Sequence, residues 1–159
     1  MSPSFHFGRE QYELVRGSRQ TLFAYLESMQ PADLCKEIPG FGKGSIRNLL
    51  VHCVNTYNFW IGECALGIPA VPIEAAGVTT MNGIQELYDK VDSMLLAFFD
   101  EVEDGNQSEF NFYLGGNKTS APAIKLFSHG ITHEYHHKGQ ILTMSRQLGY
   151  TPVDSDIMR

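Results

Sequence analysis

Four of the six histidines in this chain fall within nine residues: His129, His133, His136 and His137. Taken in steps of three and four, one helix face reads Leu126, His129, His133, His137, Gln140, Met144 and Leu148. The apolar residues at both ends of that line predict that the face points into a core. Each neutral imidazole needs partners for two nitrogens, so three of them on one inward stripe ask for more than packing. Rings at i and i+4 lie about 6 Å apart on a helix and can converge on one metal ion, with Zn–N bonds of about 2.0–2.1 Å. A second helix must then supply another ligand. His52 is the candidate, because His6 precedes the first predicted helix and no other histidine remains. It lies on the line Leu49, His52, Thr56, Phe59, beside an apolar stripe. His52, His133 and His137 are therefore the candidate metal ligands. The alternative is a metal-free bundle whose histidines are satisfied by hydrogen bonds.

Two better-known metal patterns touch the same segment, and both fail. His133-Glu134-Tyr135-His136-His137 reads H-E-x-x-H, the zinc-protease helix. The downstream positions where a metzincin has Gly and His hold Gln140 and Thr143 instead. The residues after His137 contain no glutamate to act as a distant third ligand. Glu134 and His137 also form one E-x-x-H pair, but a ferritin-like di-iron site needs a second, and none occurs.

The elements that position these residues follow from apolar periodicity and chain breakers. A first helix is predicted from about Gly8 to Met29, with Tyr12, Val15, Arg19, Leu22, Leu26 and Met29 on one face. Ser45 is a suitable cap for a second, running to Leu66 with the stripe Ile46, Leu50, Cys53, Tyr57, Trp60 and Cys64. A Pro/Gly/Ala-rich connection from Gly67 to Val78 leads to a third, opening near Thr80 or Asn82 and ending between Glu101 and Asn106. Its stripe is Ile84, Leu87, Val91, Met94 and Phe98. Phe110 and Phe112 then alternate with polar residues before Gly115-Gly116-Asn117, a short extended or hairpin segment. Ser120 is read as the cap of a last helix that carries Pro122 in its first turn and stops at Gly149. Four single-striped helices bury one another most simply as an all-α four-helix bundle, a single domain over residues 1–159. The long second connection suggests that one helix pair is not a simple antiparallel hairpin.

The 159 residues are 43% hydrophobic and 19% charged, which excludes disorder and a coiled-coil rod. Twelve Lys and Arg stand against 18 Asp and Glu, a net charge of −6 with no basic cluster, so no nucleic-acid partner is expected. No run approaches the roughly 20 apolar residues of a membrane span, and Met1–His6 has no secretory pattern. Cys35, Cys53 and Cys64 lack C-x-x-C spacing and read as reduced thiols of a cytoplasmic protein.

At this point the sequence resembles the DinB family, the DinB/YfiT-like metal-binding four-helix bundles, over nearly the whole chain. The resemblance rests on Ser45-Ile46-Arg47-Asn48-Leu49-Leu50-Val51-His52, a helix start followed by histidine. It rests further on His133-Glu134-Tyr135-His136-His137-Lys138-Gly139-Gln140-Ile141, an H-x-x-H-H-[RK]-G-Q block. The ending Leu148-Gly149-Tyr150-Thr151-Pro152 with Asp154 and Asp156 fits the family's tail. The resemblance implies that His52, His133 and His137 hold one divalent metal, zinc or nickel, and that the chain is a homodimer. It also implies a small-molecule substrate, with low-molecular-weight thiols used by characterised members, and thiol S-transfer or hydrolysis as the reaction. A non-catalytic bundle stapled by its metal is the alternative.

Three imidazoles leave an open coordination position, where a water or thiol becomes acidic near neutral pH. Glu134, next to a ligand, is the candidate catalytic base or supporting partner, against the alternative of a solvated helix glutamate. Gln140 is expected at the pocket and Tyr57 in the core. His136 is expected at the surface or beside the ligands, and His129 holding a neighbouring group. Cys53 is read as core, and Gly139 as the point of close helix approach.

Overall fold

The computed structural model describes residues 3–104 and 107–159, with side chains from residue 7 onward. The first helix, α1, spans Pro3–Glu27 and starts earlier than its apolar pattern predicts. Proline suits a first helical turn because its missing N–H has no partner there in any case. His6 thus lies within α1 rather than before it, and its side chain falls outside the described residues. The predicted stripe is buried throughout, including Arg19, a cation only 5% exposed in the core.

Helix α2 spans Ile46–Tyr57. Ser45 caps it as expected, its Oγ accepting from Asn48 N at 3.2 Å. The predicted single helix then changes character: Asn58–Glu63 forms a π turn, with Cys64 N donating to Phe59 O and Leu66 N to Ile61 O, both five residues back. The wider turn changes one position of the buried stripe, and Cys64 stays buried as predicted. Ile61 enters the core in place of the predicted Trp60, which is left half-buried.

Helix α3 spans Met81–Glu103 and is capped by Thr80, whose Oγ1 accepts from Gly83 N at 3.1 Å. Its buried side is Ile84, Tyr88, Val91, Leu95, Phe98 and Phe99, with the predicted Leu87 and Met94 at the edge of the stripe. Gly105 and Asn106, within the predicted end of this helix, lie outside the described residues.

Strands β1, Glu109–Leu114, and β2, Asn117–Pro122, form an antiparallel hairpin in register from Glu109 opposite Pro122 to Leu114 opposite Asn117. Gly115 and Gly116, at φ +57° and +82°, make the two-residue turn, where two successive positive φ values favour glycine. Ser120 therefore belongs to β2 and does not cap a helix. Pro122, at φ −65° and ψ 147°, ends the extended run, and α4 starts one residue later, spanning Ala123–Gln147. Gly149 at φ +95° closes α4, with Tyr150 N bonded to Ser145 O and Gly149 N to Arg146 O.

Helix α1 packs against α3, and α2 packs against both α3 and α4. The tail folds back over the bundle. Tyr150 Oη donates to Asp33 Oδ2 at 2.6 Å, and Ser155 O accepts from Ser18 Oγ and Lys138 Nζ. No helix among the described residues is long and apolar enough to cross a membrane.

The rotation of α4 differs from its predicted setting. Leu126, His137 and Met144 of the predicted line are buried as expected, but the buried face extends to one side of that line, over Phe127, Gly130, Ile131, Glu134, Ile141 and Ser145. His129 and His136 are exposed, His133 and Gln140 are half-buried, and His137 is buried. An apolar count along the helix treats Glu134 and Lys138 as solvated, whereas both are buried because partners on other elements satisfy their polar atoms. The glycine at the closest helix approach is also a different one. A Cβ on Gly130 would meet the Tyr57 ring at 2.7 Å, whereas a Cβ on Gly139 would meet nothing within 4 Å.

Candidate metal centre

Where α2 passes α4, His52 projects from α2 between His133 and His137, one turn apart on α4. The ring centroids of His52 lie 4.9 Å from those of both partners, and His133 and His137 are 4.5 Å apart. One ligating atom from each of the three lies within 4.8 Å of the other two. Nε2 of His133 is 3.1 Å from Nε2 of His52. Two nitrogens on a tetrahedral ion with bonds of about 2.0–2.1 Å stand about 3.3 Å apart, so this pair is already at ligand spacing. Thr56, one turn after His52, places Oγ1 3.2 Å from His133 Nε2 while donating its own proton to the His52 carbonyl at 2.9 Å.

The electrostatics favour neutral rings with free lone pairs. Burial pushes the His133 pKa down to about 4, and the neighbouring His137, His52, His129 and His136 add to the effect. Burial lowers His52 as well, helped by Lys43 and His137. For His137, burial, His136 and Lys43 outweigh the opposing hydrogen bond from Gln140. That bond also orients the ring: Nδ1–H of His137 donates to Gln140 Oε1 at 2.7 Å, leaving Nε2 for a ligand. The same amide's nitrogen lies 3.4 Å from His136 Nε2, so Gln140 spans both histidines from behind. Among the described residues no carboxylate or thiol joins the cluster. Three imidazoles in this arrangement fit a divalent borderline ion.

The other predicted residues are distributed around this cluster. Cys53 is buried and its thiol is pushed up by burial, in keeping with a core residue. Cys35, Cys53 and Cys64 are all free. The His129 ring packs edge to face on Trp60 and tilted against His133, with centroids at 5.3 and 5.6 Å. Glu134 is 9% exposed, which removes the solvated alternative. Its Oε1 accepts from Arg19 Nε at 2.7 Å, and its Oε2 accepts from Arg19 Nη2 at 3.1 Å and from Tyr57 Oη at 2.7 Å.

Arg19 continues the network to α3, donating from Nη1 to Asp92 Oδ1 at 2.6 Å, where Tyr12 Oη also donates. The Tyr88 ring lies 4.5 Å beneath the guanidinium. Each of the four helices therefore contributes a polar group to one buried cluster directly behind the histidines. Burial opposes the Arg19 charge, and Glu134, Tyr12 and Tyr57 together outweigh it and raise the guanidinium pKa. Sequence reasoning missed this cluster, although a cation inside the α1 apolar stripe was its signal. It also missed Thr56, which stands on the His52 line, and Lys43, whose charge reaches two of the three histidines.

A helical bundle with a hairpin before its last helix and three histidines converging from two helices, able to hold a metal ion, defines a recognisable class of protein. The chain belongs to the DinB family, whose family model matches residues 1–159. Comparison with curated proteins gives no match.

Proposed function

We propose that this protein is a metal-dependent enzyme acting on a small molecule, by thiol S-transfer or hydrolysis. The observation that carries the reading is the convergence of three neutral imidazoles at a half-exposed rim with no fourth protein ligand beside them among the described residues. His52, His133 and His137 would hold one divalent ion, zinc or nickel, since imidazole suits both. Bound there, such an ion supplies a Lewis acid beside which a water or thiol becomes acidic near neutral pH.

The chain's own residues do the rest. Gln140 holds His137 in the ligating tautomer, and Thr56 packs its hydroxyl against His133. Lys43 places a positive charge near His52 and His137, which favours an anionic substrate group or a thiolate. Glu134, expected as a base from its place beside His133, has its carboxylate engaged by Arg19 and Tyr57. In this reading it is a positioning residue that sets the rotation of α4.

A homodimer belongs to the same proposal. Phe7 and Leu14, seven residues apart on α1, and Leu96 on α3 are exposed and available for a partner copy. Sedimentation velocity tests this, and a monomer at micromolar concentration would contradict it.

The reaction is tested by screening zinc- and nickel-loaded protein with small thiols, electrophiles and activated esters, alongside cobalt-loaded protein observed by absorption spectroscopy. Turnover lost in His133→Ala, with a cobalt spectrum that responds to added thiol, is the expected result. The second reading is a metal that only staples α2 to α4, favoured by the cross-helix contact of His52 with His133. Absence of turnover together with a cobalt spectrum indifferent to every added molecule would decide for it.

A further inference from the structure

Beside the histidine cluster the π turn, the hairpin and the start of α4 enclose a cleft of about 210 Å³. Its walls are Trp60, Phe112, Leu114 and Leu126, with His129 and Lys125 also lining it. A cavity of about 150 Å³ is enough to take a benzene ring, so this one accommodates a single substituted ring. Trp60 and Phe112 meet edge to face, centroids 6.1 Å apart and planes at 84°, forming a corner suited to a flat apolar group.

The cleft is a product of the two departures from a plain bundle. The π turn swings Trp60 out of the core and puts Ile61 there instead. The hairpin, anchored to the bundle by Phe110 against Phe98 at 5.5 Å, carries Phe112 opposite. The cleft also communicates with the histidines, because the His129 ring touches Trp60 on one side and His133 on the other.

Its charge is one-sided. Lys125 is the single charged residue in the lining, no acidic side chain joins it there, and among the described residues it forms no ion pair. In a chain of net charge −6, local cations at the cleft and at Lys43 select for anions against the overall field.

We propose that this cleft binds the apolar ring of a small anionic molecule, with its charge toward Lys125 and its reacting group led past His129 to the three histidines. The last part rests on the metal-centre reading above; the binding of the ring does not.

Trp60 is the chain's only tryptophan, so its indole N–H gives a single resonance in a proton–nitrogen correlation spectrum. The full chain is titrated with 4-methylbenzoate and with the neutral 4-methylbenzamide, first without metal and then with zinc. A saturable shift of the Trp60 resonance is expected with the benzoate, and binding of the amide weaker by up to about fivefold, the scale of an exposed ion pair. Lys125→Gln, at an exposed position, should bring the two probes to parity. Phe112→Ala should weaken both about tenfold.

No saturable shift with either probe would overturn the cleft as a binding site. Equal affinities in the unaltered chain would overturn the choice of an anion. In the zinc-loaded protein the His129 ring resonances should move with those of Trp60, and a stationary His129 would overturn the route to the histidines. The metal-free titration is independent of the metal centre, so its failure and a failure to bind zinc are separate results.

Discussion

His133 and Glu134 are neighbours in sequence and occupy two opposite electrostatic environments on the same helix. On the rim, three imidazoles are kept neutral by burial and by one another, and their nitrogens converge without a carboxylate among them. Behind them, Arg19, Glu134 and Asp92 form a paired network from α1, α4 and α3, closed by Tyr12 and Tyr57. Successive helix residues point about 100° apart, so one element can serve both regions. The contrast separates two tasks. The paired charges fix which face of α4 turns inward, and the unpaired lone pairs are left free to bind.

If that division holds, damage to the network should appear in stability and damage to the rim in metal affinity. The largest expected effect is from Arg19→Met, which leaves the buried Glu134 without its cation and with Tyr57 alone donating to it, while Asp92 keeps Arg16 and Tyr12. Breaking one member of a buried charge cluster costs about 3–5 kcal/mol, to be read from chemical denaturation of the metal-free protein. A loss below about 1 kcal/mol, the scale of a surface pair, would show that the network does not hold the helices.

Next is Gln140→Ala, on the rim side. Loss of a hydrogen bond that orients a metal-binding histidine lowers affinity about 10–100-fold, measured by competition with a chelator, with little change in denaturation midpoint. An unchanged affinity would break the assignment of Gln140 as the group that sets the His137 tautomer.

Gly130→Ala and Gly139→Ala sharpen the contrast between the buried and exposed sides of the same helix. The first forces a methyl into the Tyr57 ring and should destabilise by about 1–3 kcal/mol. The second meets open space and should stabilise by up to about 1 kcal/mol, because alanine is the better helix former. Similar effects from both would mean that α4 is not set against α2 at Gly130.

The smallest effect is in pH. Burial, together with the neighbouring histidines, holds the native His133 pKa near about 4, against 6.5 for an unperturbed ring, and His52 and His137 are also lowered. The unfolded chain then binds protons that the metal-free native state refuses. Stability from the neutral cluster is present above pH 6.5 and lost as pH falls from there toward 4. Thermal midpoints of metal-free protein should follow that fall, and His133→Asn should flatten it. A midpoint that rises on acidification would reverse the sign of the argument.

Much of the fold was legible because helix periods and caps are local. Ser45 caps where the sequence places it, Thr80 is one of the two starts offered for α3, and the α1 stripe is buried residue for residue. The histidine cluster was legible for the same reason, since i, i+4 spacing on one helix leaves few partners for His52. What was not legible depends on neighbours distant in sequence. The rotation of α4 follows from Arg19 on α1 receiving Glu134 and from Tyr57 on α2 filling the space over Gly130. An apolar count within α4 contains neither. The π turn that moves Trp60 outward likewise changes the residues per turn within one helix, and its one glycine, Gly62, does not specify that change.

The central claim is that His52, on α2, completes a metal site with His133 and His137 on α4. It is tested most directly by elemental analysis of purified protein equilibrated with zinc or nickel and dialysed, for the unaltered chain and for His52→Ala. The account predicts one divalent ion per chain and its near-complete loss in the variant, with the fold retained. Metal content near zero in the unaltered chain, or full occupancy in His52→Ala, would contradict it.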